Sequence, residues 1–347
     1  MFTRITRHSA SRSITSTVLR HPYPPLSHLA YKSPLTSSIS NVKPIRTFTT
    51  TQIRKMPTNA APTADLVASS LFDCSGLVAV ITGGGTGIGL MIAQGLAANG
   101  AKVYIIGRRK DVLETAAKEH GSDTKGEIIP LVGDITDKAQ IEELARQIKE
   151  KEGQVNLLVN NAGISGPTGK AEGKDAEEFK KNLWGQEFSE WNDVWNTNVA
   201  SHYFTTIGFL PLLEAGTKSK TGFSSSIINI SSISGLTKDH QSHFAYNSSK
   251  AASIHLTRLM AKEFAPLKIR VNTIAPGVFP SEMTTDESDD RNVSVYDKEM
   301  EIPAGRAGDV KEMVGTALYL ASKAGLYTNG VIIPVDGGFL LSGPSAY

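Results

Sequence analysis

Leu77-Val-Ala-Val-Ile81-Thr-Gly83-Gly-Gly-Thr-Gly87-Ile-Gly89-Leu90-Met-Ile-Ala93-Gln-Gly-Leu96-Ala97 is the most informative run in this chain of 347 residues. Leu77 to Ile81 form a short apolar run bounded by turn residues and rich in valine, the pattern of a strand buried on both faces. Glycines between positions 83 and 89 end that run, after which Leu90, Ala93, Leu96 and Ala97 recur at helical spacing. The order is strand, glycine turn, helix. Cys74 to Ala101 holds 28 residues without one charge, enough to cross a membrane on length alone. The central glycines and the change of period argue against such a helix, and no membrane span is expected. A second strand over Ala101 to Ile106 completes a βαβ unit of about thirty residues, the length parallel strands need for a helical crossover.

The alternation continues on the C-terminal side. Apolar runs at Glu127 to Val132, Leu157 to Asn160, Ser226 to Ile230, Ile269 to Ile274 and Val331 to Val335 read as further strands. Helical patterns separate or follow them at Asp111 to Glu119, Lys138 to Lys151, Phe188 to Leu213, Tyr246 to Phe264 and Val310 to Ser322. Strands with no polar face belong in a parallel sheet covered on both sides. The expected fold class is therefore α/β, a Rossmann-like doubly wound parallel sheet of about seven strands flanked by helices on both faces, as a single domain. It spans residues 76–341, after a connector at 57–75 and before a tail at 342–347.

Two features of this frame carry chemistry. A glycine turn between strand and helix brings backbone amides to a pyrophosphate, and the helix N-terminus stabilises its charge. Thr82-Gly83-x-x-x-Gly87-Ile88-Gly89 has that context, although Ile88 stands where the commoner G-x-G-x-x-G spacing has its last glycine. At the end of the second strand a carboxylate would hold the ribose hydroxyls of NAD, whereas arginine accommodates the extra phosphate of NADP. The chain reads Gly107-Arg108-Arg109-Lys110 there, with the first acid at Asp111. NADP(H) is the expected cofactor, with NAD(H) as the alternative.

Tyr246 and Lys250 stand four residues apart at the start of a helix and share one face. A tyrosine of pKa about 10 is a sluggish base at neutral pH. An ammonium about 4 Å away contributes roughly 4 kcal/mol at an effective dielectric of 20, or about three pKa units before desolvation is subtracted. The expectation is a phenol that exchanges a proton near neutrality. Ser231 and Ser232 follow the strand ending at Ile230 and offer a hydroxyl to a substrate oxygen.

Taken together, these strings resemble the short-chain dehydrogenase/reductase family, in the form with a core of about 250 residues. The resemblance runs from Gly76 to Leu341 and is carried by Thr82-Gly-Gly-Gly-Thr-Gly-Ile-Gly89, Asp134, Asn160-Asn-Ala-Gly163, Asn198, Ser232, Tyr246-x-x-x-Lys250, Pro276-Gly277 and Val335-Asp-Gly-Gly338, in family order. It implies that Gly83, Gly87, Ile88 and Gly89 form the pyrophosphate turn and that Asp134 contacts adenine. Asn161, Ala162 and Gly163 would support the sheet beside the cofactor, and the loop after Pro276 and Gly277, with Ser281, would cover the nicotinamide. Tyr246 would be the general acid or base, Lys250 would hold the nicotinamide ribose and lower the tyrosine pKa, and Ser232 would orient the substrate. Asn198 would anchor a water in a proton relay. Of the two serines Ser232 is preferred on family spacing to the tyrosine.

The chain departs from the family pattern at Thr86, where NADP-preferring members often carry a basic residue, so the burden falls on Arg108 and Arg109. Ser165 to Glu187 is longer than the family core needs. Trp184, Phe188, Trp191 and Trp195 form a helical stripe expected in the core or at a subunit interface, with Trp184 at its edge as the candidate for substrate contact. His240 and His243 border the expected pocket but lack a third ligand at metal spacing, so no metal site is expected. Glu282 to Asp290 falls in an expected mobile lid.

Residues 1–64 contain nine basic residues and no Asp or Glu, which leaves 27 basic against 34 acidic residues, a net charge of −7, for the remainder. An acidic body argues against nucleic acid as a partner. The single cysteine, Cys74, excludes an internal disulfide. Residues 1–56 are rich in Ser, Thr and Arg, and two readings stand: a mitochondrial transit peptide, or a leader left untranslated or disordered if synthesis starts at Met56. The location follows as the mitochondrial matrix in the first case and the cytoplasm in the second. The expected function is NADP(H)-dependent interconversion of a carbonyl and a secondary alcohol on a small-molecule substrate, within reach of fungal 3-oxoacyl-carrier-protein-reductase-like proteins. The alternative is a catalytically weak member serving as an NADP(H) sensor or scaffold. The resemblance also implies a homodimer or homotetramer.

Overall fold

The computed structural model describes residues 62–344 apart from Asp123, Thr221 and Asp286. The leader reading therefore lies outside the described residues. After a short helix α1 (Ala68–Leu71), the elements follow as β1 (Val78–Thr82), α2 (Gly87–Ala98), β2 (Lys102–Gly107), α3 (Lys110–Gly121), β3 (Glu127–Val132), α4 (Lys138–Glu152) and β4 (Leu157–Asn160). The second half adds α5 (Ala176–Leu183), α6 (Phe188–Trp195), α7 (Ser201–Ser219), β5 (Ser226–Ile230), α8 (Phe244–Glu263), β6 (Arg270–Pro276), α9 (Glu282–Thr285), α10 (Val310–Ala321), β7 (Ile332–Val335) and α11 (Phe339–Ser342).

All seven strands run parallel in the order β3-β2-β1-β4-β5-β6-β7. The expected doubly wound sheet is what the chain forms. Strand period places alternate residues on opposite faces, and each face has its own core. Ile81 and Ile105 pack with Ile92 and Leu96 of α2, while their neighbours Val80 and Tyr104 pack with Leu144 and Ile148 of α4 and Leu213 of α7. Chain order reverses at β1, whose neighbours are β2 and β4, and a crevice opens beyond the C-terminal ends of strands at such a point. Tertiary packing thus fixes where a ligand site lies.

The structure differs from the sequence reading in three places. The expected helix from Phe188 to Leu213 is α6 and α7 joined by a wider turn over Asn196–Ala200, with π-type hydrogen bonding. The long segment before it holds α5, capped by the Asp175 carboxylate accepting from the Glu178 amide at 3.0 Å. The aromatic stripe does not enter the core, because Trp184 is 79% and Phe188 90% exposed. Their only packing role is on the surface, which removes the core option for these two side chains.

Candidate active site

Beyond the ends of β1 and β4 lies a cleft of about 360 Å³, a size suited to a nucleotide or other small ligand. Side-chain-to-backbone hydrogen bonds join the two strand ends beneath it. Thr82 Oγ1 accepts from the amides of Asn161 at 3.0 Å and Ala162 at 3.2 Å, and Asn161 Nδ2 donates to the carbonyls of Thr82 and Gly83, both at 3.0 Å. The glycine turn is thereby tied to the end of the neighbouring strand.

Three glycines have separate physical reasons. Gly83 and Gly87 adopt φ of +63° and +52°, the left-handed region that L side chains rarely enter. A Cβ on Gly89 would lie 2.2 Å from the Gly83 carbonyl oxygen, so that position serves close packing of α2 on the turn. Gly89 does not line the cleft, whereas Gly83, Gly87 and Ile88 do. The first turn of α2 contains no acidic residue, and Thr86 at its N-cap makes no side-chain capping bond. Free amides at a helix N-terminus fit a pyrophosphate, so the donor set here suits a dinucleotide.

The cleft wall also includes Arg108, Arg109, Asp134, Ala162, Gly163, Tyr246, Lys250 and Ser281. Arg108 and Arg109 mark the end that β2 supplies. Asp134 Oδ1 accepts from Thr136 N at 2.8 Å and Thr136 Oγ1 at 2.7 Å, which holds its loop closed at the cleft edge. Pro276 and Gly277, expected at the cofactor, do not line the cleft; the Gly277 amide donates to Val335 O at 2.9 Å and a Cβ would meet Asp336 Cα at 2.9 Å.

Tyr246 and Lys250 occupy the first turns of α8 and face the inner end of the cleft. Lys250 Nζ is buried, donates to Ile230 O at 3.1 Å and lies 5.5 Å from the Tyr246 ring centroid. The two serines divide their work. Ser231 lines the cleft and its Oγ donates to the Lys250 carbonyl at 2.8 Å, whereas Ser232 Oγ accepts from the Ser234 amide at 3.1 Å and its hydroxyl acts to lower the Tyr246 pKa. Asn198 sits in the wide turn between α6 and α7. Its Oδ1 accepts from Ile164 N at 2.9 Å, and its Nδ2 donates to Ile164 O at 2.9 Å and Ser249 Oγ at 3.0 Å. Both Nδ2 protons are thereby used, and Oδ1 keeps one lone pair as an acceptor.

Electrostatics here correct the sequence estimate. Burial holds the Tyr246 phenol above its usual pKa against the opposing hydrogen bond from Ser232. Burial also pushes the Lys250 ammonium down to about 8. Desolvation is the larger influence on both groups, since it disfavours the charged phenolate and the charged ammonium alike. His202, absent from the sequence reading, lies one helical turn after Asn198 and is buried. Its Nε2 donates to Ala162 O at 3.2 Å and Nδ1 has no partner among the described residues. Burial and the Lys250 charge push its pKa down to about 3, so the ring stays neutral. Spacing of four from Asn198 was the signal that placed it on this face.

His240 stacks on Phe244 with ring centroids 5.1 Å apart, and His243 meets Tyr246 edge-on at 6.3 Å. Of the two, His243 is the one that meets the tyrosine. Among the described residues no three His, Cys, Asp or Glu side chains are placed to hold a metal ion. No helix of the described residues is long and apolar enough to cross a membrane.

A doubly wound parallel sheet with an amide-lined glycine turn and a Tyr-Lys pair in one cleft defines a dinucleotide-dependent oxidoreductase. The family model "short chain dehydrogenase" matches residues 77–292, and the chain belongs to that family. It is 43% identical over 290 residues to the short-chain dehydrogenase/reductase PhomF of Diaporthe leptostromiformis, an alignment covering 82% of this chain and 98% of the relative. The rhamnolipids biosynthesis 3-oxoacyl-[acyl-carrier-protein] reductase of Pseudomonas aeruginosa is 36% identical over 270 residues, covering 78% and 98%. Among solved structures, the Pseudomonas aeruginosa RhlG/NADP active-site complex superposes with a TM-score of 0.67 at 34% identity, over 78% of this chain and 98% of that one. Members of this family act on carbonyl and CH–OH groups with NAD(P).

Proposed function

We propose that the protein is an NADP(H)-dependent reductase or dehydrogenase that interconverts a carbonyl and a secondary alcohol. The observation that carries this reading is the placement of Tyr246, with Lys250 Nζ 5.5 Å from its ring centroid, in one cleft with Arg108 and Arg109. Those two guanidinium groups suit the 2′-phosphate of NADP. Bound NADPH supplies the hydride. The Tyr246 hydroxyl gives its proton to the substrate oxygen as the carbonyl carbon is reduced, and Ser232 Oγ holds that oxygen by hydrogen bonding. Lys250, whose burial lowers its pKa to about 8, returns a proton to the phenolate in its ammonium form, which predominates below that pH. Asn198 is the anchor we assign to a water leading from Lys250 to solvent.

The substrate class we favour is a 3-oxoacyl thioester, supported by the 3-oxoacyl-carrier-protein reductases of Pseudomonas aeruginosa and, at 32% identity, Escherichia coli among the relatives. The exposed Trp184 and Phe188 fit a homodimer or homotetramer interface. The Ser- and Arg-rich leader fits mitochondrial import, to be tested by sequencing the N-terminus of the native protein. For the chemistry, NADPH oxidation with a panel of 3-oxoacyl thioesters and other carbonyls is measured for the wild type and Tyr246→Phe. Turnover is expected to fall by about 10³-fold with nucleotide binding retained, and retained turnover would refute the mechanism.

A further inference from the structure

The arginine end of the cleft holds a carboxylate brought there by tertiary structure alone. Glu282, the first residue of α9, forms a two-point contact with Arg109: Oε2 lies 2.7 Å from Nη2 and Oε1 3.2 Å from Nη1. Thr86 Oγ1 donates to the same Oε2 at 3.5 Å. The adjoining Ser281 lies against the glycine turn, since a Cβ on Gly87 would fall 2.8 Å from the Ser281 Cβ. Two more contacts fasten this lid to α3, His120 Nε2 to Arg291 O at 2.7 Å and Asn292 Nδ2 to Val112 O at 2.9 Å. Arg108 lines the same cleft and has no ion-pair partner among the described residues. The end of β2 offers no acid of its own, so this carboxylate reaches it from 173 residues away.

We propose that Glu282 is a specificity-determining residue: its carboxylate occupies on Arg109 the place of a nucleotide 2′-phosphate and competes with that phosphate for the guanidinium. The inference rests on the reading of this cleft as the cofactor site and deepens it. A guanidinium fork presents one planar pair of donors, which takes a carboxylate or a phosphate but not both in the same geometry. An incoming 2′-phosphate must therefore displace Glu282 and meets repulsion from it. A 2′-hydroxyl meets neither obstacle and donates to the carboxylate. Glu282 thus narrows the preference for NADP that Arg108 and Arg109 create, and it couples recognition of the phosphate to the position of the lid.

The test uses nucleotide fragments and calorimetric binding, independent of turnover. Adenosine 2′,5′-bisphosphate and adenosine 5′-monophosphate are titrated into the full chain as wild type, Glu282→Gln, Arg109→Gln and the double variant, with Glu282→Ala as a second charge-removing change. Removing an exposed charge at this distance is worth about fivefold, so Glu282→Gln and Glu282→Ala are expected to tighten the bisphosphate by about fivefold and the monophosphate by less than about twofold. In the Arg109→Gln background the same change is expected to have a smaller effect. If Glu282→Gln leaves the bisphosphate unaffected, or tightens both nucleotides equally, while Arg109→Gln still weakens the bisphosphate, the competition is overturned and the cofactor reading stands. If Arg109→Gln leaves bisphosphate affinity unchanged, both are overturned.

Discussion

Lys250 shows how a side chain read correctly for its neighbours behaves differently once buried. Four-residue spacing from Tyr246 put both groups on one helix face, and the structure keeps them there. What spacing could not supply was the dielectric. Desolvation lowers the Lys250 pKa to about 8 from 10.5, so from pH 8 to 10.5 the unfolded chain binds the proton that the folded chain has released. Stability rises with pH across that window, and below it the folded state carries the cost of a buried charge. The full difference is at most about 3 kcal/mol. Wild type is therefore expected to gain stability relative to Lys250→Met between pH 8 and 10, measured by urea denaturation at each pH. A constant difference between the two proteins would show that the lysine does not titrate there. His202 was invisible to motif reading for the same reason, since only burial makes a neutral histidine beside a lysine notable.

Helices and strands were legible where period and punctuation agreed. β3, β4 and β5 match the apolar runs residue for residue, and β1, β2 and β6 begin one residue later than read. The break between α6 and α7 was not legible, because the residues of Asn196–Ala200 carry no proline or glycine to announce it. That wide turn aims Asn198 at the strand β4 loop, where its amide satisfies both backbone groups of Ile164. Asn198→Ala would leave those groups and Ser249 Oγ short of partners in a buried place. A loss of about 3 kcal/mol is expected, read as a lower urea midpoint with unchanged slope. An unchanged midpoint would mean that water replaces the amide without penalty.

The described chain is organised around a parallel sheet whose two faces are both filled, and the family match begins at residue 77. A chain starting at Met56 is expected to keep kcat/KM within about twofold and its melting temperature within about 2 °C, since the matched core is left intact. Steady-state kinetics and calorimetry on the two lengths check this. A large loss would assign the leader a role in the fold. Charge divides the same way: the basic residues before Asp65 offset an acidic body, so the total of +2 describes neither part. The arginines that matter to the cleft are Arg108 and Arg109.

Local pattern alone carried the α/β class, the glycine turn, the Tyr-Lys pair and the absence of an acid at the end of β2, because each is written in adjacent residues. Only the tertiary structure set the partners of Ser231 and Ser232, the Lys250 carbonyl for one and the Ser234 amide for the other. It also raised the phenol pKa that spacing had lowered, and placed Glu282 on Arg109. These outcomes depend on burial and on contacts between distant segments, and neither quantity is encoded in the order of neighbouring residues.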